Sequence, residues 1–187
     1  SATHAVKAFS LSYSLANSAG LLLSPSVHYD WVRPGLALYG VDPFSSATTT
    51  REGFRPVMTL KAKIIAIQTL KPKEFIGYDG RFQCEKPMRI GIVSLGYGDG
   101  YPYDAPCGTP VLVKDHIAAL VGQVSMDMLA IDISQPHFTH VQIGDEVTLW
   151  GEGLPVETVA YHTRRSVYEL LCGIHRATDS RLQVKVL

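Results

Sequence analysis

Hydrophobic and polar positions alternate with a period of two from residue 58 onward. Met58, Leu60, Ala62, Ile64 and Ala66 form one apolar face, and threonine and lysine begin the other. This alternation is typical of a strand with one face in a core. Further strands are predicted at 89–95, 110–113, 117–124, 128–133 and 146–150. Glycine, proline and aspartate separate most of them, so the pattern predicts an antiparallel sheet or barrel.

The first 45 residues follow a different pattern, in which helical and strand-like pieces alternate. The chain up to Phe9 reads as the end of a helix, residues 13–16 as a short strand, and residues 31–40 as an apolar stretch interrupted by Pro34-Gly35. These pieces fit roughly one and a half βαβ units. A parallel sheet that small cannot bury both faces, so we expect the end of a larger domain. The small polar residues at 45–50 mark the predicted boundary.

Two short helices are predicted after the last strand. Residues 155–160 have the pattern of a helix start, and residues 166–169 (SVYE) fit a capping box that opens a second helix. The predicted fold class is therefore a mainly β C-terminal domain that follows a partial α/β segment.

Composition narrows the possible partners. Over 187 residues the chain is 46% hydrophobic and 18% charged, with 17 basic and 17 acidic side chains. This balance argues against nucleic acid or an anionic membrane as the main partner. No apolar run approaches the roughly 18 residues of a membrane helix, and no signal-like core opens the chain. Three cysteines without a CxxC pair favour reduced thiols in a cytoplasmic protein, and the scattered histidines predict no metal site.

The loop at residues 96–102 (GYGDGYP) is the most informative segment for chemistry. It follows the predicted strand at 89–95 and mounts Tyr97 among three glycines. Such glycines let another surface approach closely, and a tyrosine held there can donate a hydrogen bond or act as a base. A hairpin turn whose tyrosines pack over the sheet is an alternative that the spacing leaves open.

Three other places carry candidate residues, each with a structural alternative. Ser18, within residues 17–20 (NSAG), can bind a phosphate or cap a helix. Arg33 lies in an apolar run and needs a carboxylate, a carbonyl or a ligand, because an unpaired buried guanidinium is costly. Met126 and Asp127 end an apolar strand, either as site residues or as a gap-filling methionine and a turn aspartate.

Taken in this order, four segments resemble alanine racemase: 14–20 (SLANSAG), 31–40 (WVRPGLALYG), 96–102 and 121–127 (VGQVSMD). Residues 77–78 and 149–151 add smaller matches. This family uses pyridoxal phosphate to interconvert L- and D-alanine and supplies D-alanine for peptidoglycan. Its subunit joins an N-terminal (β/α)8 barrel to a C-terminal β domain. The resemblance implies that residues 1–45 are the last part of that barrel and residues 46–187 the β domain.

The resemblance also implies a role for each matching residue. Ser18 would bind the cofactor phosphate, helped by backbone amides near Gly35 and Leu36. Arg33 would face the pyridine nitrogen. Tyr97 would be the catalytic base that acts on L-alanine, and the second base would be the lysine that holds the cofactor.

A head-to-tail homodimer is implied as well, in which Tyr97 reaches the active site of the partner subunit. The backbone of Met126 would hold the substrate carboxylate there, and Asp127 would line the entrance. The motif of the cofactor-binding lysine has no counterpart, so we expect the isolated chain to be inactive. Ser14 stands where some members of the family carry histidine, and Gln123 where arginine is common. Residues 172–181 match the family's closing segment only loosely, so its phosphate-binding tyrosine has no assigned position.

Two other functions remain open. A broad-specificity racemase or a related decarboxylase could share this architecture, although a decarboxylase would want an acid where Arg33 stands. A stand-alone β-barrel binding module without catalysis is the alternative from another class.

Overall fold

The computed structural model describes residues 11–44, 53–77, 80 and 82–175. The chain divides into two compact units, Ser1–Val57 and Met58–Leu187. The helix end predicted up to Phe9, the linker predicted at 45–50 and the closing segment after residue 175 lie outside the described residues.

The first unit is a small parallel α/β segment. Its elements are β1 (Ser14–Asn17), α1 (Ser18–Leu23), β2 (Trp31–Arg33) and 3-10 turns at Pro25–Val27 and Leu36–Tyr39. Strands β1 and β2 pair in parallel. Leu15 is 62% exposed and Trp31 is 66% exposed. A two-stranded parallel sheet with such uncovered apolar side chains is typical of one part of a larger α/β domain.

The second unit is built on a closed antiparallel barrel. Its strands are β3 (Leu60–Leu70), β4 (Phe75–Ile76), β5 (Phe82–Gln83), β6 (Met88–Val93), β7 (Pro110–Val113), β8 (His116–Val121), β9 (Leu129–Asp132) and β10 (Glu146–Trp150). The barrel closes in the order β10-β3-β6-β9-β8-β7, while β4 and β5 form a separate hairpin. The predicted combination of a mainly β domain with a partial α/β segment is therefore confirmed.

Each barrel strand has at least one apolar side chain without measurable exposure. These side chains include Ile64, Val93, Val111, Leu120, Ile131 and Val147. The interior of a small barrel is filled by such side chains, so the barrel is a packed core rather than a ligand cavity. Functional groups of this unit must therefore lie on the loops that the barrel holds.

The long strand β3 shows how far the alternating pattern holds. Leu60 and Ile64 are buried, whereas Ile65 is exposed. Between Ile64 and Ala66 the register with β6 shifts, as at a β-bulge, and the strict alternation ends there. The two predicted helices are present as α2 (Val156–Thr163) and α3 (Val167–His175), and Ser166 Oγ accepts the Glu169 N–H at 3.1 Å as the capping box predicts.

Candidate functional site

Ser18 begins α1 directly after β1. Asn17 caps this helix, because its Oδ1 accepts the Gly20 N–H at 3.0 Å. The hydroxyl of Ser18 is buried and instead accepts the N–H of Gly35 at 2.9 Å and that of Ala37 at 3.2 Å. The interpretation of Ser18 as a helix cap is therefore wrong. Its hydroxyl joins α1 to the turn that follows β2.

The two hydrogen bonds that Ser18 Oγ accepts determine which further hydrogen bond its hydroxyl can form. A serine oxygen has two acceptor positions and one proton, and both acceptor positions are used here. The remaining O–H can only donate. The N–H of Leu36, which opens the next turn, meets no acceptor among the described residues. A Cβ on Gly35 would meet nothing within 4 Å in the same part of the chain, so open space adjoins the glycine that lies between these two donors.

Arg33 ends β2 with an exposed side chain. Its Nη1 donates to the carbonyl oxygen of Ser14 at 2.7 Å and to Ser14 Oγ at 2.5 Å. The expected burial of this guanidinium is therefore wrong, whereas its pairing with a carbonyl is confirmed. Ser14 thus supports the planar guanidinium through both its carbonyl and its hydroxyl, although it stands where histidine was the residue expected to give that support. Nε and Nη2 have no partner within the described residues, so this edge can serve a ligand.

The loop after β6 is the second candidate site. Residues Tyr97–Asp99 form a 3-10 turn, and the buried carboxylate of Asp99 accepts the Gly96 N–H at 2.9 Å. Gly100 has φ +95°, a backbone conformation that residues other than glycine rarely adopt. The carbonyl of Gly173 in α3 lies close to this glycine. The turn is thus held by its own aspartate and by the second unit's last helix.

This loop lies against the segment between β8 and β9. The Tyr97 N–H donates to the Ser125 carbonyl at 3.0 Å, and the Gly98 N–H donates to the Met126 carbonyl at 2.8 Å. A Cβ on Gly96 would overlap both of these carbonyl groups. The close approach therefore requires glycine, and the fold brings Tyr97 and Met126 together although they are distant in sequence.

The tyrosines of the loop have different environments. Tyr101 is 2% exposed and its ring stacks on Trp150, with centroids 5.9 Å apart. Burial raises the pKa of the Tyr101 phenol well above its ordinary value. Tyr97 is 43% exposed. Packing over the sheet thus describes Tyr101, whereas the ring of Tyr97 is accessible.

Met126 and Asp127 are both exposed beside this loop. The Met126 carbonyl is already used by Gly98, and its N–H meets no acceptor in the described ranges. A backbone N–H exposed in this way can bind a carboxylate.

The structure adds Tyr103 to the predicted site residues. Its ring meets the Tyr97 ring edge-on, with centroids 5.3 Å apart and an angle of 81° between the planes. Gln123 Nε2 donates to the Tyr103 carbonyl at 2.8 Å. In the sequence only the recurrence of tyrosine in this loop points to that contact.

No group of three or more histidine, cysteine, aspartate or glutamate side chains among the described residues is arranged to hold a metal ion. None of the helices in the described ranges combines the length and the apolar character that crossing a membrane requires.

Comparison with known proteins relates both units to one family. Residues 57–182 match the family described as alanine racemase, C-terminal domain, and residues 1–43 match alanine racemase, N-terminal domain. An alanine racemase of Nitrosomonas eutropha is 51% identical over 173 residues, which cover 92% of this chain and 47% of that protein. One of Coxiella burnetii is 52% identical over 167 residues, which cover 86% of this chain and 45% of that protein. The chain spans about half the length of these relatives.

Solved structures agree with this relation. The biosynthetic alanine racemase of Pseudomonas aeruginosa superposes with a TM-score of 0.80 at 45% identity, covering 87% of this chain and 45% of that chain. An alanine racemase of Bartonella henselae with covalently bound pyridoxal phosphate gives a TM-score of 0.80 at 31% identity, covering 92% and 48%.

Proposed function

The chain belongs to the alanine racemase family, and on that premise we propose that the protein which carries it interconverts L- and D-alanine with pyridoxal phosphate. The observation that supports this most strongly is the exposed Tyr97, which the GYGDGYP loop holds beside the backbone of Met126. Residues 1–45 are then the last part of a (β/α)8 barrel and residues 46–187 the C-terminal β domain. The uncovered side chains of β1 and β2 support this division.

The donors of the first unit fit pyridoxal phosphate. The O–H of Ser18 and the N–H of Leu36 would hold the phosphate, and the N–H of Gly35 would contribute through its bond to Ser18 Oγ. Arg33, which is always protonated, would donate to the pyridine nitrogen and leave it unprotonated. When bound, the cofactor supplies an electron sink that makes the hydrogen on the substrate Cα acidic.

Tyr97 then exchanges a proton with one face of alanine. With L-alanine the deprotonated oxygen of Tyr97 would take the proton from Cα and become the phenol, and in the reverse direction the phenol would return a proton to the same face. The opposite face needs a second base, the cofactor-binding lysine, for which this chain has no matching motif. The N–H of Met126 would hold the substrate carboxylate, and Asp127 would line the entrance.

We place these residues in a head-to-tail homodimer, where Tyr97 and Met126 act in the partner's active site. The proposed location is the cytoplasm and the proposed role is the supply of D-alanine for peptidoglycan. Cys84, Cys107 and Cys172 are free thiols, which supports a reducing compartment.

The test compares wild type with Tyr97→Phe in the full reading frame that encodes this chain. We expect Tyr97→Phe to retain cofactor binding and to lose Cα proton exchange from L-alanine in D2O by about 10²- to 10⁴-fold, because general-base catalysis is removed. Tyr161→Phe, on the exposed face of α2, is the control and should match wild type. The isolated chain with added cofactor should show no racemisation.

Other results separate the remaining functions. If the full-length protein binds pyridoxal phosphate but does not racemise alanine, its substrate is a different amino acid, as in a broad-specificity racemase or a decarboxylase. A protein that binds no cofactor would leave the β-barrel binding module.

A further inference from the structure

We propose that Tyr103 is a positioning residue whose ring holds the phenol of Tyr97 in the orientation needed for proton transfer. This inference rests on the proposed function. The backbone of Tyr97 is tied down by the Ser125 carbonyl, but its hydroxyl has no hydrogen bond among the described residues. Its ring contact in that part of the chain is with Tyr103. The orientation of the phenol therefore depends on this neighbour.

The geometry of the two rings is an edge-to-face contact. The centroids are 5.3 Å apart and the planes meet at 81°. In such a pair the positive edge of one ring lies on the negative face of the other, which favours one relative orientation. Within this chain Tyr97 is 43% exposed, and Tyr103 is the aromatic ring that meets it in the part of the chain that the structure describes.

Two polar contacts hold the backbone at Tyr103 and the residue that follows it. Gln123 Nε2 donates to its carbonyl at 2.8 Å. The carboxylate of the next residue, Asp104, accepts from Arg165 Nη2 at 2.6 Å. Arg165 also contacts Glu169 at the start of α3. The backbone of Tyr103 is thus held by the segment before β9 and by the helical end of the unit. Its ring is 52% exposed and meets the Tyr97 ring from that fixed backbone.

A fixed phenol has a direct consequence for rate. Proton transfer requires the reacting atoms to lie about 3–3.5 Å apart in the reactive orientation. If the Tyr97 ring samples other orientations, a smaller share of encounters with Cα is productive. The step that slows is the proton transfer between Tyr97 and Cα, which removes the proton of L-alanine, while the barrier of the transfer on the other face is unchanged.

The experiment compares Tyr103→Leu, Tyr103→Phe and the control Tyr161→Leu in the full reading frame with its cofactor. The two enantiomers are equally stable, so kcat/KM for both must fall together, and we expect a loss of about 3- to 10-fold for Tyr103→Leu. The isotope effects separate the two faces. In Tyr103→Leu the kinetic isotope effect on kcat/KM should be larger than in wild type for L-alanine deuterated at Cα, because the slowed step removes that deuteron. For deuterated D-alanine it should be smaller, because its deuteron is removed on the other face. Tyr103→Phe keeps the ring and should behave as wild type, and so should Tyr161→Leu.

A second readout follows the Tyr97 ring in the same proteins by NMR with ¹³C-labelled tyrosine. Tyr103→Leu should shift and average the ring signals of Tyr97, while Tyr103→Phe should keep them dispersed. Unchanged ring signals, equal changes in both isotope effects, or a Tyr103→Phe protein as impaired as Tyr103→Leu would each overturn the inference. If wild type does not racemise alanine, the proposed function fails, and the ring signals alone decide the role of Tyr103.

Discussion

Asn17 and Ser18 are adjacent polar residues, and the structure gives them different tasks. Asn17 caps α1, while the hydroxyl of Ser18 receives two N–H groups from the turn after β2. Tyr97 and Tyr101 differ in the same way, one exposed beside Met126 and the other buried against Trp150. Residue type and spacing do not distinguish the members of either pair, because the partners of Ser18, Tyr97 and Tyr101 are supplied by distant parts of the chain.

The close contact of Gly96 with the segment before β9 can be tested by substitution. In Gly96→Ala the new Cβ overlaps the carbonyls of Ser125 and Met126, so the loop must move away from that segment. We expect the free energy of unfolding to fall by about 1–3 kcal/mol, as for overpacking elsewhere. Urea denaturation measures the change. Gly98→Ala is the matched control, since its Cβ would lie 3.0 Å from the Met126 carbonyl oxygen and should cost less. An equal or smaller loss in Gly96→Ala would show that the loop yields easily.

At the scale of elements, the barrel strands follow from the alternation of apolar and polar residues. Strands β7 and β10 have the predicted bounds, and β6, β8 and β9 differ from prediction only at their ends. The pattern did not predict the short hairpin of β4 and β5, since two residues on each side are too few to show a period. Nor did it predict the bulge in β3, which depends on the register with β6.

A pair of adjacent isoleucines in β3 tests the assignment of the two faces. Ile64 is fully buried inside the barrel, whereas Ile65 is 48% exposed. Ile64→Ala should lower the free energy of unfolding by about 2–5 kcal/mol, because it removes transfer energy and leaves a cavity. Ile65→Ala changes the same atoms on the outer face and should cost under about 1 kcal/mol. Similar losses from both substitutions in urea denaturation would contradict this orientation of β3.

At the scale of the whole molecule, the candidate residues fall into two groups. Ser18 and Arg33 belong to the first unit, and Tyr97 and Met126 to the second. The proposed dimer joins the first group of one subunit to the second group of its partner. This arrangement predicts a behaviour that a site within one subunit would not show.

Mixed dimers provide the measurement. Arg33→Ala damages the cofactor site, and Tyr97→Phe removes the hydroxyl that each subunit is proposed to contribute to its partner's active site. Each variant alone should therefore racemise alanine poorly. After unfolding and refolding together in equal amounts, half of the dimers are mixed and each has one intact site, which restores roughly a quarter of wild-type activity. A mixture of Arg33→Ala with Ser18→Ala, both in the first unit, is the control and should recover nothing. Failure of the first mixture to exceed its parents would place Tyr97 in its own subunit's site.

The amino-acid pattern alone was enough to predict the period and order of the barrel strands, the starts of the two last helices and, through four ordered segments, the family. These features depend on residues near one another in the chain, so a local pattern is sufficient to predict them. Three contacts became visible only in the folded chain: Ser14 with Arg33, Ser18 with Gly35 and Tyr103 with Tyr97. The first contact joins the two strands of the parallel sheet, and the second joins α1 to the turn after β2. The third depends on how the loop after β6 folds back on itself. The partners in these contacts are set by strand register and by loops that fold onto distant segments. Neither residue type nor local spacing predicts these two features.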